Sequence, residues 1–144
     1  MKTLGLFIAT ALLAIGAHAG GDTYKVHDGN KIFYSTFNSS FIPAEVAAAH
    51  DIVRSKKRGL VNIAVVPADQ VVGGVQALVK GTVSNLLQQS QQLDFFEVRE
   101  GDVVYYLASF KFDNKDSLTF KIDVKADPNK PSYRLKFQQT FYRD

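Results

Sequence analysis

The chain has 144 residues, a formal net charge of +3, 46% hydrophobic residues, no cysteine and one methionine. That length fits one domain with one sizeable core. The missing cysteine excludes disulfides, thiol nucleophiles, thiolate metal sites and the lipid-bearing cysteine of bacterial lipoproteins, and the slight basic excess gives no reason to expect nucleic acid as a partner.

Met1-Lys2-Thr3 is a short positive start, Leu4 to Ile15 is a nearly unbroken apolar run, and Ala17-His18-Ala19 is a small-x-small pattern before Gly20. This reads as a signal peptide cleaved after Ala19, too short for a comfortable membrane span. The expectation is a periplasmic protein of residues 20–144 forming a single domain. No later apolar run approaches spanning length.

Tyr24 to His27 and Lys31 to Phe37 flank Asp28-Gly29-Asn30, a strong hairpin signal because the turn needs positive φ. The one good helix lies between Ile42 and Val53, with its span set at 43–53. Pro43 and Glu45 suit its first turn. Ile42, Val46, Ala49 and Val53 form a narrow apolar stripe. Arg54, Lys56, Lys57 and Arg58 crowd its negative end, and Gly59 stops it.

Strands resume at Leu60 to Val66. Val75 to Leu87 is a longer stretch in which Gly81 suggests a bulge or kink. Gln88 to Gln92 reads as a polar connection. Leu93 to Val98 and Val103 to Phe112 follow, joined by a turn at Glu100-Gly101. Leu118, Phe120, Ile122 and Val124 alternate with polar residues, and so do Tyr133, Leu135, Phe137 and Phe141. Half-buried alternation is the pattern of antiparallel sheet. The expected fold is mainly β: an immunoglobulin-like antiparallel sandwich of about seven or eight strands with one inserted α-helix at 43–53. Lys31–Phe37 and Val103–Phe112 carry large apolar groups on both parities. The helix is therefore expected to cover these two strands on the outside of one sheet.

Candidate chemistry is sparse. His27 and His50 form no ligand-spaced pair, and Asp113-Asn114-Lys115-Asp116 lacks the spacing of a calcium loop, so neither metal nor cofactor is expected. His50, Asp51 and Ser55 have no strained turn to expose a nucleophile. Glu97, Glu100 and Asp102 sit near one turn and would serve acid–base work only if they faced a common cleft. The aromatic residues Phe95, Phe96, Tyr105, Tyr106, Phe110 and Phe112 read as core. Asn38-Ser39-Ser40 matches a glycosylation sequon by chance. The four cations from Arg54 to Arg58 exceed what a helix dipole needs.

Taken together, Tyr34 to Phe41, Val53-Arg54-Ser55, Ser84-Asn85-Leu86-Leu87, Arg99-Glu100-Gly101-Asp102 with Tyr105-Tyr106-Leu107, and Tyr133 to Tyr142 resemble a family of proteobacterial periplasmic proteins catalogued as a domain of unknown function. The resemblance spans essentially the whole chain after the leader. It implies a periplasmic location, and no activity or catalytic residues.

The function expected is that of a non-enzymatic binding or protein-interaction module. Its surface is set at Asn38, Ser39, Ser40 and Phe41 with Arg54, Lys56, Lys57 and Arg58. An envelope protein or peptide, or an anionic lipid head group, would be its partner. Two alternatives are an envelope hydrolase using the carboxylates of Glu97 to Asp102, and a chaperone-like factor pairing a client with an open edge at Val75 to Leu87.

Overall fold

Residues 23–70 and 73–143 are described by a computed structural model. The expected leader lies outside the described residues. Alternating apolar side chains produce nine strands: β1 (Tyr24–His27), β2 (Asn30–Asn38), β3 (Arg58–Pro67), β4 (Leu78–Ser84), β5 (Ser90–Leu93), β6 (Phe96–Glu100), β7 (Val103–Lys111), β8 (Asp116–Lys125) and β9 (Tyr133–Phe141). They make two antiparallel sheets, ordered β1-β2-β3-β7-β6 and β5-β4-β8-β9.

Between the sheets, Val61, Ile63, Val65 and Phe110 meet Val83, Phe120, Ile122 and Leu135. The sandwich expected from the alternation is the sandwich observed. Along one side, contacts from β1 and β2 to β9 hold the two sheets together. His27 stacks on Tyr133 and Tyr34 lies against Phe137, with ring centroids 4.6 and 4.7 Å apart.

The first hairpin forms where Asp28-Gly29 predicted it. Both residues have positive φ, 54° and 78°, as the two-residue turn requires. The strand count rises to nine because the glutamine stretch is not merely a connection. Ser90–Leu93 pairs with β4 from Gly81↔Leu93 to Ser84↔Ser90. The chain then crosses to the other sheet as β6.

A second apolar layer covers the outer face of the five-stranded sheet. Phe37, Leu60, Ala64, Tyr105 and Leu107 pack there against Ile42, Ala47 and Ile52. This is the helix-covered face expected from the two-parity strands. β3, at the sheet's centre, is buried at every position from Gly59 to Val66.

The helix itself is shorter than expected. Helix α1 spans Ala44–Ala49 rather than 43–53. Asp51 turns left-handed, with φ 55°, and Ile52 N–H donates back to Ala47 O at 2.8 Å. That reversal drives Ile52 into the core and throws Val53 out to 52% exposure. Ala49 is exposed as well, so the predicted stripe holds only through Ile42 and partly buried Val46.

Two glycines also differ from their expected roles. Gly59 does not stop the helix; it lies in β3 opposite Phe110, where a Cβ would fall 2.4 Å from the Phe110 ring tip. Gly81 makes no bulge, since β4 pairs with β8 without a skip from Leu78↔Lys125 to Ser84↔Thr119.

Asn62 is an exception to the apolar logic of the outer layer. It is 3% exposed on β3 and its Oδ1 has no hydrogen-bond partner. An orphaned buried acceptor costs about 1–3 kcal/mol. Asn62→Val is expected to raise stability by roughly 1 kcal/mol in urea unfolding, and a destabilised variant would show that the amide is needed.

On the outer face of the second sheet, Arg134 Nε and Nη2 donate to Asp123 Oδ1 and Oδ2 at 2.7 and 3.1 Å. The hydrogen bond from Arg134 holds the Asp123 carboxyl below its usual value, against a smaller opposing effect of burial. A carboxylate lowered in this way stabilises the fold at neutral pH, and that contribution is lost as pH falls through the folded-state pKa. Asp123→Asn should lower stability at neutral pH by up to about 1 kcal/mol and flatten the acid limb of the stability–pH curve by the same amount. An unchanged acid limb would contradict the assignment.

Candidate binding face

The segments on either side of α1 run antiparallel. Asn38 Nδ2 donates to Lys56 O at 3.3 Å, Ser39 Oγ to Ser55 O at 3.0 Å, and Arg54 Nη2 to Ser40 O at 3.3 Å. Ser55 N–H returns a bond to Ser39 Oγ at 2.9 Å. The next residues along the two segments are Phe41 and Val53, then Ile42 and Ile52, and the latter two share the outer-layer core. Alternation sends the second pair into the core and leaves Phe41 and Val53 outside, 70% and 52% exposed.

The fold therefore brings together the two segments singled out in the sequence, and it divides their labour. Ser39 is fully buried and serves the pairing. Asn38 Oδ1 accepts from Ser40 N–H and Oγ, at 2.9 and 2.7 Å, and shapes the short 3₁₀ turn Ser39–Phe41. The side chains left for a partner are Phe41, Arg54, Lys56 and Lys57, with Val53, which the sequence pattern had placed in the core. Arg58 is half-buried at the start of β3.

The basic residues do not sit on a helix end. Arg54 follows Ala49 by a left-handed reversal and an extended stretch, beyond the reach of a dipole that fades within the last turn. Among the described residues the ion pairs are Arg99–Glu97, Lys130–Asp28, Arg134–Asp123 and Arg143–Asp113. None of them neutralises Arg54, Lys56, Lys57 or Arg58.

The carboxylates near the β6–β7 turn do not converge. Glu97 and Glu100 are three positions apart on β6 and so point to opposite faces. Glu97 Oε1 accepts from Tyr106 OH at 3.1 Å and Gln76 Nε2 at 3.3 Å, and Oε2 from Arg99 at 3.2 Å. Burial pushes its pKa up, but those three hydrogen bonds prevail and hold it below the usual value. A general acid at neutral pH needs the opposite shift. Tyr106 OH also accepts from Ala77 N–H at 2.8 Å, so the group fastens the approach to β4.

The open edge proposed at Val75 to Leu87 is not an edge. β4 lies between β5 and β8. His50 stacks on Phe96 at 5.2 Å, and Ser55 is bonded to Ser39, so His50, Asp51 and Ser55 are not brought together as a nucleophile and its base. Among the described residues no group of three histidine, cysteine, aspartate or glutamate side chains is placed to hold a metal. No helix there is long and apolar enough to cross a membrane.

No curated protein matches the chain by sequence. A crystal structure of a DUF4426 family protein from Pseudomonas aeruginosa PAO1 is similar, with 30% identity, TM-score 0.75, and 86% of this chain and 97% of that one covered. FetP from uropathogenic Escherichia coli strain F11, expressed in the periplasm, is 9% identical with TM-score 0.60 over 84% of this chain and 93% of its own. A copper-bound variant of FetP is 10% identical with TM-score 0.58, covering 83% and 94%. At that identity FetP shows the fold alone. The described residues do not suit a copper ion: they include no cysteine or methionine, and His27 and His50 lie against separate aromatic rings, Tyr133 and Phe96. DUF4426, a domain of unknown function, matches over residues 24–144, and the chain belongs to that family.

Proposed function

We propose that the chain is a non-enzymatic binding module of the cell envelope, working in the periplasm after removal of residues 1–19, and that it docks on an anionic membrane surface. The observation that carries this reading is that exposed Phe41 and Val53 lie on the same two segments as Arg54, Lys56 and Lys57, which enter no ion pair among the described residues. The periplasmic expression of FetP, whose fold is alike, agrees with the compartment.

The physics is that of peripheral binding. Each basic residue near an anionic surface contributes about 1 kcal/mol. Burying Phe41 adds roughly 1.5–3 kcal/mol, with less from Val53. Neither signal holds a protein at a membrane by itself; together they give reversible attachment.

Sedimentation with vesicles of phosphatidylglycerol and phosphatidylethanolamine tests it, with phosphatidylcholine vesicles as reference. The wild type should pellet with the anionic vesicles and lose that binding as salt rises. The triple variant Arg54→Gln, Lys56→Gln, Lys57→Gln should bind about a hundredfold more weakly. Phe41→Ser should lose about tenfold. A triple variant that sediments like the wild type would remove the membrane from consideration. Capture of one acidic envelope protein without any vesicle binding would reassign the face to that partner.

A further inference from the structure

Beside that face, one end of the sandwich is open between the sheets. The gap has a volume of about 470 Å³ and is bordered by the loop into β3, the β4–β5 hairpin, the β7–β8 turn and the residues after β9. Its charged lining is Lys57, Arg58, Lys111 and Arg143 against Asp113 and Asp116.

The two carboxylates are already engaged. Asp113 Oδ1 accepts from Arg143 Nη2 at 2.8 Å, and Asp116 Oδ2 accepts from Asp113 N–H at 2.9 Å. Lys57, Arg58 and Lys111 enter none of the ion pairs among the described residues. Arg143 Nε is enclosed without an acceptor, although the outer part of its guanidinium reaches Asp113. The charge itself is paired with Asp113 and partly exposed, but an enclosed N–H left without an acceptor is unfavourable until one arrives.

The walls are fixed in advance. The Gln91 amide donates to Lys111 O at 2.8 Å and accepts from Lys111 N–H at 2.9 Å, clasping β5 to the end of β7. Asn85 closes its own hairpin by accepting from Leu87 and Gln89 N–H at 3.0 and 2.9 Å. A pre-formed gap does not spend binding energy on ordering its walls.

We propose that this gap binds a phosphate-bearing small molecule, with Arg143 as the anchoring donor and Lys57, Arg58 and Lys111 supplying the counter-charge. A fork of N–H donors beside additional cations suits a phosphate dianion. The volume exceeds a bare ion and falls within the range of small-ligand sites, so the phosphate is carried on an organic body. The gap adjoins the membrane face and shares Lys57 with it, but Arg143 belongs only to the gap and Phe41 only to the face.

Isothermal titration of the leaderless protein with glycerol 3-phosphate, and separately with inorganic phosphate, tests this at constant ionic strength with chloride as control. Saturable binding of glycerol 3-phosphate is expected, tighter than that of inorganic phosphate; equal affinity would assign free phosphate instead of an organic ester. Arg143→Gln and Arg143→Lys should each weaken binding about tenfold or more, because lysine restores charge but not the fork. Lys111→Gln, which leaves the Asp113 pair intact, should weaken it as well, and Phe41→Ser should bind like the wild type. No saturable binding of either phosphate, or undiminished affinity in both Arg143→Gln and Lys111→Gln, would overturn the site whatever the vesicles show.

Discussion

Phe120→Ala is expected to remove about 4 kcal/mol of folding stability. Phe120 is fully buried. Its ring stacks on Phe137 at 4.7 Å and 9°, and meets Phe110 edge-on at 5.1 Å and 80°. Phe141 lies 6.1 Å away. Truncation loses the transfer energy of the ring and these aromatic contacts, and leaves a cavity whose walls are themselves packed rings. A domain of this size holds only about 5–15 kcal/mol in total, and no disulfide supports it. Equilibrium unfolding in urea should show a much lower midpoint with an unchanged slope. The matching change at exposed Phe41, to alanine, should stay within about 0.5 kcal/mol. Equal losses at the two positions would mean that the core is not organised around these rings.

Phe120 was legible from the sequence because β8 alternates without interruption and an apolar residue at every second position has one place to go. The same reasoning found the outer layer, since Phe37 and Leu107 break the alternation of their strands. It misplaced Val53, and the reason is local. A helical stripe extends across 42–53 only if every residue keeps helical angles, and Asp51 does not. No apolar periodicity registers a single positive φ. The clustering of Asn38–Phe41 with Arg54–Arg58 was accessible because both segments flank one short excursion of the chain. The phosphate gap was not, because Lys57 precedes β3, Lys111 ends β7 and Arg143 follows β9, and the order of those strands in the sheets must be known first. Gln91 was passed over for a related reason. Its role is to bond the backbone of Lys111 in the other sheet, and a glutamine's composition carries no trace of that partner.

Gly81→Ala is expected to cost about 3 kcal/mol, although it adds a single methyl group. A Cβ at that position would fall 2.4 Å from Lys121 O and 2.9 Å from Ile122 Cα. Both are backbone atoms of β8, so no rotamer change relieves the contact, and the strands must part. Gly29→Ala makes the useful comparison. A Cβ there meets open space, and only the positive φ opposes it, at roughly 1–2 kcal/mol. The larger loss at Gly81, measured by urea unfolding, would show that close approach of β4 to β8 governs that position. The two core substitutions should also couple. Val83, two residues from Gly81, pairs with Phe120 across the same two strands. Removing the Phe120 ring gives β8 room to move toward the core and away from the added methyl. The double variant Gly81→Ala, Phe120→Ala should therefore lose less than the sum of the single variants, by about 0.5 kcal/mol or more. Strict additivity would mean that β8 cannot shift, and that the cost at Gly81 is borne by β4 alone.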